Sequence, residues 1–371
     1  MMASRHWSGD VIVVGAGPAG CACATFLSRA GHEVLLVERS SSSRWKPVEV
    51  LAPATVRLLR YHRLIDSDVT QRYGVCRGVH GLWDRHAGFF DYQLFACNAG
   101  VAVDRSVFDR ELLGPAVAAG THFLPVSVVH RAAYAPDDSW TLELTRAESG
   151  TMTVSAPVLI QAGGRAASTL GLEPIDRKYF DRLIAMACRL DLPPSPIQIM
   201  LLEADAEGWW YSSCDAGGHG AAVYLSDADL LPRSPQERAI FFRRKFASSR
   251  LLRQHLPPLP DVLDLRLIDA RTSRVTQFCT RASLSIGDAA YAVDPLSGSG
   301  VRRAVESAVA ASEAVSAFLV TGDARALNRY DAWASAEFQR WLRDKDGVYA
   351  EASDDLHSYP FWKRRIAAPA A

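Results

Sequence analysis

Three glycines near the N-terminus have the spacing of a phosphate-binding turn. Gly15, Gly17 and Gly20 form the pattern GxGxxG. In such a turn the first glycine permits a tight bend, the second lets the backbone approach a pyrophosphate, and the third lets helix and strand pack closely. Glu38 follows at the distance where an acidic side chain can accept hydrogen bonds from adenosine ribose hydroxyls. The pattern therefore predicts that the chain binds a dinucleotide.

The residues around this motif predict the strand–helix–strand unit that would position it. Asp10 to Val14 is a short, continuous apolar run, which is typical of a buried parallel strand. An alanine-rich stretch, Cys21 to Ala30, predicts a helix, and the start of that helix would offer free N–H groups to phosphates. Glu33 to Val37 predicts a second strand that ends beside Glu38.

Composition argues against several other classes of protein. The chain has 371 residues, of which 49% are hydrophobic and 22% charged, as in an ordinary globular protein with room for two domains. Lys+Arg and Asp+Glu both total 41, so no overall charge favours nucleic acid or an anionic membrane. We identify no apolar run near the about 20 residues that a membrane helix requires, and no secretory signal. We therefore expect no nucleic-acid or membrane partner.

The number and spacing of the cysteines bear on the redox state and cellular compartment that we expect. The chain has seven, an odd number without the spacing of a disulfide framework or of a metal site. We interpret them as reduced thiols and expect a cytoplasmic protein without a metal ion.

A second glycine-rich segment lies toward the other end of the chain. Residues 283–301 read SLSIGDAAYAVDPLSGSGV, a short apolar strand followed by Gly-Asp and a Pro/Ser/Gly loop before a long helical pattern. The segment resembles the GD motif of the FAD-dependent aromatic hydroxylases and of the flavin-dependent halogenases. This resemblance implies that Asp288 holds a ribityl hydroxyl of FAD and that Pro295 lies beside the isoalloxazine. The backbone of residues 297–300 would approach the flavin N1–C2 edge, where a helix N-terminus stabilises negative charge.

Two further segments resemble motifs of the same superfamily. VDRSVFD, residues 103–109, implies that Arg105 contacts FAD. VLIQAGGRAAS, residues 158–168, occupies the place of a motif from which Gln161 and Gly163 depart, so the source of electrons stays open. The FAD-binding residues predicted in total are Gly15, Gly17, Ala19, Gly20, Glu38, Arg39, Arg105, Asp288, Pro295, Gly298, Gly300 and Val301.

The order of the motifs predicts the architecture. We expect an α/β fold with a Rossmann-type FAD-binding domain, an inserted mixed or antiparallel sheet domain that binds substrate, and a C-terminal helical segment. The FAD-binding domain would be discontinuous, built from residues 9–75, 102–178 and 266–330. Residues 76–101 and 179–265 would form the sheet that roofs the flavin, and residues 331–371 the helical segment.

Aromatic residues in the predicted roof are candidates for contacting a substrate. Trp209 and Tyr211 would share one face of a strand, and Trp210 would take the other. Sheet packing alone could explain them, because aromatic residues favour strands; alternatively, Trp209 and Tyr211 form a wall of a substrate pocket. Glu49 and His80 are candidates for proton transfer, although a lone His or Glu is more often structural or solvated.

The lysines bear on the choice among flavin reactions. Halogenases need a lysine between flavin and substrate, and no lysine falls within residues 51–95, where it would be expected. A closer resemblance is to the flavin monooxygenases of tryptophylquinone biogenesis. It is carried by GVHGLWDR (78–85), VDRSVFDREL (103–112), GWWYSSC (208–214), YLSDADLL (224–231), DPLSGSGV (294–301) and PFWKRR (360–365).

That resemblance implies a specific reaction. A single-component enzyme would use reduced FAD and O₂, through a flavin C4a-hydroperoxide, to hydroxylate an electron-rich ring. The ring would be a tryptophan of a partner protein, admitted over an open face that bears Trp209 and Tyr211. The electron donor would be a reduced nicotinamide or another reductant.

Other functions stay open at this point. The chain could hydroxylate a small aromatic molecule or act as a halogenase-like enzyme. It could also be a maturation partner that contains FAD and binds another protein without oxygenating it. An ene-reducing flavoprotein similar to the prenyl reductases would share the GD motif.

Overall fold

Two large β-sheets, one mainly parallel and one mainly antiparallel, organise the chain. The computed structural model describes residues 5–39, 45–83, 87–96, 98–146, 150–165 and 176–366. The strands are β1 Arg5–Ser8, β2 Val11–Val14, β3 Val34–Val37, β4 Glu49–Leu51, β5 Val75–Leu82, β6 Gly88–Asp91, β7 Val101–Val103, β8 His122–Leu124, β9 Ser127–Tyr134, β10 Trp140–Arg146, β11 Gly150–Ala156, β12 Val158–Gln161, β13 Arg177–Tyr179, β14 Leu183–Asp191, β15 Ile197–Asp205, β16 Gly208–Cys214, β17 His219–Asp227, β18 Leu265–Asp269, β19 Ser273–Val275, β20 Cys279–Thr280, β21 Ser283–Ser285 and β22 Tyr291–Ala292.

Helices cover these sheets. They are α1 Pro18–Arg29, α2 Pro53–Tyr61, α3 Val69–Tyr73, α4 Tyr92–Ala96, α5 Arg105–Glu111, α6 Leu113–Ala118, α7 Pro235–Ser248, α8 Leu251–His255, α9 Gly300–Thr321, α10 Arg325–Ala350 and α11 Pro360–Ile366. Short 3₁₀ turns lie at Gly287–Ala289, Pro295–Ser297 and Leu356–Ser358.

The mainly parallel sheet has the order β20-β21-β12-β2-β3-β8. All four residues of β2 and of β3 are buried, as expected of parallel strands covered on both faces. One face packs against α1, α9 and α10, and the other packs against a second sheet of order β1-β11-β10-β9. The predicted strand–helix–strand unit is confirmed as β2, α1 and β3, and the fold is the α/β fold predicted.

The mainly antiparallel sheet, called the roof sheet below, has the order β18-β14-β17-β16-β15-β5-β6. Its neighbouring strands are antiparallel except for β15 and β5, which are parallel. One face carries Trp209 and packs against the C-terminal helices, while Trp210 lies on the other face against α7. The expected alternation of these two tryptophans is confirmed.

The C-terminal part of the chain is helical, as expected. The boundary predicted between residues 330 and 331 falls inside α10, a continuous helix of 26 residues, and so marks no break in the structure. Phe361 and Trp362 of α11 are fully buried against the roof sheet. The C-terminal helices therefore belong to the core that joins the roof sheet to the rest of the molecule.

Helix α9 departs from the expectation that no apolar segment is long enough to span a membrane. Among the described residues it is the one helix with a suitable length and composition. Residues such as Val305, Ala308 and Val315 are fully buried in the core that α9 shares with α1 and α10. Its apolar character is thus accounted for by packing inside the protein.

Candidate active site

The glycine turn between β2 and α1 is shaped by close backbone contacts. Gly15 has a φ of +110°, and a Cβ there would lie 2.5 Å from the carbonyl oxygen of Ala162. A Cβ on Gly20 would lie 1.8 Å from the carbonyl oxygen of Gly15. By contrast, a Cβ on Gly17 would meet nothing within 4 Å. The first and third glycines are therefore needed by the fold, whereas the second faces open space at the N-terminus of α1.

Glu38 lies directly beside this turn. Its carboxylate Oε2 accepts a hydrogen bond of 2.7 Å from the backbone N–H of Ala16. The contact holds an acidic side chain at the end of β3, where the ribose of a dinucleotide would lie. Arg39 follows it and is exposed.

The two glycine-rich segments, far apart in sequence, meet in space. Gly287 has a φ of +57°, and a Cβ there would lie 2.8 Å from the Cβ of Ala19 in α1. Its backbone N–H donates to Ser307 Oγ of α9 at 2.9 Å. The Gly-Asp turn is therefore wedged between α1 and α9, and Ala19 helps to form that packing.

Asp288, next to this turn, is surrounded by arginines. Arg165 Nε lies 3.4 Å and Arg303 Nη2 3.7 Å from its carboxylate oxygens, while Arg177 donates to its backbone carbonyl at 3.2 Å. Burial lowers the pKa of the Arg177 guanidinium. Sequence patterns did not identify these three arginines, because they come from separate segments and have no common spacing.

The residues Pro295–Gly300, called the flavin loop below, connect the Gly-Asp turn to α9. Gly298 is left-handed with a φ of +55°, and a Cβ there would meet nothing within 4 Å. Pro295 and Gly298 are exposed, whereas Val301 in the first turn of α9 is buried. The loop thus leaves backbone accessible at the N-terminus of a 22-residue helix, which favours a bound group carrying negative charge.

A compact group of charges adjoins the flavin loop. Glu49 Oε1 would lie 3.5 Å from a Cβ on Gly300, and Glu49 also binds the Arg105 guanidinium. Arg105 Nε donates to Asp109 at 2.8 Å, and Lys46 Nζ lies 2.7 Å from the same carboxylate. The structure therefore brings Glu49 and Arg105 together at the start of α9, and adds two partners that sequence analysis missed.

The ionisation of this group follows from its pairing. Burial raises the pKa of Asp109, but Arg105 and Lys46 more than offset that effect, and the net pKa lies below its ordinary value. Burial lowers the pKa of Arg105, yet Glu49 and Asp109 raise it above its ordinary value overall. Asp109 and Arg105 are therefore charged at neutral pH, and each holds the other in place.

Tyr211 links the roof sheet to the strand that carries Glu49. Its hydroxyl donates to the backbone carbonyl of Val48, which also accepts a hydrogen bond of 3.0 Å from Ser213 Oγ. Burial raises the pKa of Tyr211, with smaller contributions from Glu49 and Cys76. Tyr211 is therefore neutral, and its hydroxyl ties the roof sheet to the residue that precedes Glu49.

Trp209 does not lie on an open face. Its side chain is 1% exposed, and its indole N–H donates to the Tyr349 hydroxyl at 3.0 Å. Trp83 and Trp362 complete the packing around it. The expectation of an open approach over Trp209 is therefore wrong, because α10 and α11 cover this part of the roof sheet.

His80 lies on the face of the roof sheet opposite to Tyr211. It pairs in register with Leu201, whereas Tyr211 pairs with Leu202, so the two side chains alternate to different faces. The His80 ring is 5.0 Å from that of His255 in α8. The structure therefore does not bring His80 together with Tyr211 and Glu49. A shift of register between Gln198 and Met200 changes the alternation of the paired strands.

The shape of the site fits FAD. Gly17 and Gly298 present open backbone where the pyrophosphate and the flavin would lie, and Glu38 and Asp288 stand beside them for the ribose and ribityl hydroxyls. When bound, FAD would supply the redox chemistry. The chain would hold the pyrophosphate at α1, orient the ring with the flavin loop and shield it with the roof sheet.

Comparison with known proteins assigns the chain to a family whose cofactor this geometry fits. The profile of the FAD binding domain family matches residues 8–345, and the chain belongs to that family. The fold is the mixed α/β fold of FAD-dependent monooxygenases and halogenases, and the cofactor is FAD.

The relatives with similar sequences include both halogenases and a hydroxylase. A flavin-dependent halogenase of Armillaria mellea is 30% identical over 43% of this chain and 31% of its own length, so the chain spans about a third of it. A second halogenase of that organism is 23% identical over 94% of this chain and 73% of its own length. Aklavinone 12-hydroxylase of Streptomyces peucetius is 25% identical over 92% of this chain and 74% of its own length.

Solved structures show the same fold. The flavin-dependent halogenase CmlS has a TM-score of 0.81 at 23% identity, covering 99% of this chain and 68% of its own. The peptidyl tryptophan dihydroxylase QhpG, essential for tryptophylquinone cofactor biogenesis, has a TM-score of 0.82 at 22% identity, covering 96% of this chain and 78% of its own. Halogenases and the dihydroxylase are thus similarly close to this chain in structure.

Proposed function

We propose that this protein is an FAD-dependent monooxygenase that hydroxylates an electron-rich aromatic ring. The observation that carries the proposal is the chemistry of the roof above the flavin loop. Tyr211 and Ser213 hydrogen-bond to the carbonyl of Val48, which precedes Glu49, and the Lys46 ammonium beside Glu49 and Arg105 is paired with Asp109. A shielded site whose charges are paired supports transfer of oxygen from reduced FAD and O₂ to a ring, and the described residues offer no unpaired lysine there for the halogenase reaction.

The positions of the lysines support this choice over halogenation. Lys46 adjoins the group formed by Glu49 and Arg105, and its ammonium is paired with Asp109 of that group. Lys245 belongs to α7, on the other face of the roof sheet, and is paired with Asp205 and Glu207. Lys345 contacts Asp346 within α10. Halogenation remains the alternative, favoured by the similarity to halogenases, and Lys46 is then the residue on which it would depend.

For the substrate we propose a tryptophan side chain within a polypeptide. The similarity to the peptidyl tryptophan dihydroxylase supports this, as does the exposure of Pro295 and Gly298 on the flavin loop. Because Trp209 is covered, the ring would enter along the flavin loop rather than over the roof. The similarity to an aromatic hydroxylase supports a small free aromatic as the alternative substrate.

Mass spectrometry of a co-expressed, tryptophan-bearing partner protein tests the proposal. We expect one or two added oxygen atoms on a tryptophan. We also expect reductant oxidation to be coupled to that product, with little peroxide released. Lys46→Met should leave oxygen insertion intact. Efficient hydroxylation of free aromatics, with no change in any partner protein, would contradict the proposed substrate. A halogenated product that the parent protein forms and Lys46→Met does not would contradict the proposed reaction. If the FAD-loaded protein binds a partner protein but never oxygenates it, both the proposed reaction and the proposed substrate are contradicted.

A further inference from the structure

A buried chain of hydrogen bonds connects the flavin loop to the C-terminal helices. Asp294, which immediately precedes the loop, is fully buried. One of its carboxylate oxygens accepts from the backbone N–H of Leu296 at 3.0 Å, and the other accepts from the Tyr349 hydroxyl at 2.7 Å. Tyr349, near the end of α10, in turn accepts from the Trp209 indole at 3.0 Å. One carboxylate therefore joins the flavin loop, α10 and the roof sheet.

A second contact involves the ring of Tyr349. The Arg365 guanidinium of α11 lies 5.2 Å from the centre of the Tyr349 ring. Arg365 also donates to Asp227 of β17 at 2.7 Å, with both side chains almost fully buried. The Tyr349 ring is thus held by a cation that is itself anchored to the roof sheet.

The position of Asp294 makes this chain more than ordinary core packing. A buried carboxylate is costly unless its oxygens are hydrogen-bonded, so the directions of its two donors determine where it sits. Burial, and then the neighbouring Asp181, raise the pKa of Asp294 above its ordinary value, and Arg365 and the two donors offset only part of that rise. Because Pro295 follows directly, a displacement of the carboxylate is transmitted to the flavin loop.

We propose that Tyr349 is a positioning residue, which sets the flavin loop through Asp294 and so adjusts the environment of the bound flavin. This inference rests on the proposed function only in placing the flavin beside the loop. It assigns to the C-terminal helices a role at the site, although none of their side chains needs to touch the cofactor.

Tyr224 offers a matched control. Its side chain is also fully buried, and its hydroxyl also donates to a carboxylate, Asp205, at 2.7 Å. Tyr224 lies with Trp210 on the face of the roof sheet that points away from the flavin loop. Tyr224→Phe therefore removes a similar hydrogen bond without touching the loop.

The test compares Tyr349→Phe, Tyr224→Phe and the parent protein, each loaded with FAD and without substrate. We expect both variants to unfold at lower temperature, because each loses a buried hydrogen bond. Only Tyr349→Phe should shift the visible flavin absorption and the flavin reduction potential, with FAD binding weakened about tenfold. If Tyr349→Phe does not fold, Asp294→Asn should show the same flavin changes.

Identical flavin spectra, potentials and FAD affinities in the parent and in the folded variant at Tyr349 or Asp294 would overturn the inference. Equal flavin changes in Tyr224→Phe would also overturn it. Since no substrate is present, a failure of the proposed oxygenation would not affect these measurements.

Discussion

At the scale of single residues, we propose Glu49 as the group that transfers a proton near the flavin. It adjoins Gly300 and is fixed by Arg105. We predict that Glu49→Gln retains FAD but slows product formation by about 10²-fold or more, the typical contribution of a positioned acid or base. Single-turnover kinetics of the reduced, FAD-loaded protein would measure this.

His80 provides the matched comparison. Since it faces α8 rather than Tyr211, His80→Gln should leave the same rate unchanged. A rate loss in His80→Gln equal to that in Glu49→Gln would show that the assignment of the two faces of the roof sheet is wrong.

His80 should instead contribute to the pH dependence of stability. Burial, and then the neighbouring His255, lower its pKa below the ordinary value of 6.5. The unfolded chain therefore binds the proton more readily than the folded protein. The contribution of neutral His80 to the free energy of unfolding is complete above pH 6.5 and is lost as pH falls below it. Urea unfolding at about pH 7.5 and about pH 5.5 measures the free energy of unfolding, and its decrease toward the lower pH should be smaller in His80→Gln than in the parent. An equal decrease in both proteins would rule out the contribution.

Glu38 connects the glycine turn to the expected ribose position. Its carboxylate accepts from the Ala16 N–H, so Glu38→Ala removes both that contact and a hydrogen-bond acceptor for the sugar. We predict a loss of FAD binding of about 1–3 kcal/mol. Fluorescence titration with FAD measures it, and an affinity equal to that of the parent would place the adenosine elsewhere.

At the scale of elements, different glycines of the glycine turn serve folding and cofactor binding. Gly17 has a φ of −78°, which alanine adopts readily, and open space around it. Gly17→Ala should therefore keep the unfolding temperature of the FAD-free protein but weaken FAD binding at least about tenfold, because the new methyl group enters the pyrophosphate position. Gly20→Ala should instead destabilise the fold by about 1–3 kcal/mol or more, since its Cβ collides with Gly15.

Thermal unfolding and FAD titration of both variants would check this separation. Gly347→Ala, which adds a methyl group to open space within α10, is the control for an alanine substitution as such. Normal FAD affinity in Gly17→Ala would argue against a pyrophosphate at this turn.

How far sequence analysis succeeds differs from element to element. The unit β2–α1–β3 was predictable because its apolar periodicity and glycine spacing are local properties. The face on which His80 lies was not, since it depends on a shift in register between paired strands. The covering of Trp209 by Tyr349 joins residues 140 positions apart, and no local pattern reports such a contact. The same holds for the arginines around Asp288.

At the scale of the whole molecule, the proposed FAD site is a junction of three parts of the chain. The glycine turn supplies one wall, the flavin loop another, and the roof sheet closes the space above Glu49. The C-terminal helices hold the roof sheet and the flavin loop together through Tyr349 and Arg365. A flavin bound at this junction would be shielded while Pro295 and Gly298 stay exposed, and that exposure supports the proposed polypeptide substrate.

The most direct test of this account follows the fate of oxygen. The FAD-loaded, reduced protein is mixed with a tryptophan-bearing polypeptide and isotopically labelled O₂, with and without chloride or bromide, and the product is analysed by mass spectrometry. The account predicts labelled oxygen on the aromatic ring, in equal yield with or without halide. A product that carries halogen and no labelled oxygen would contradict it.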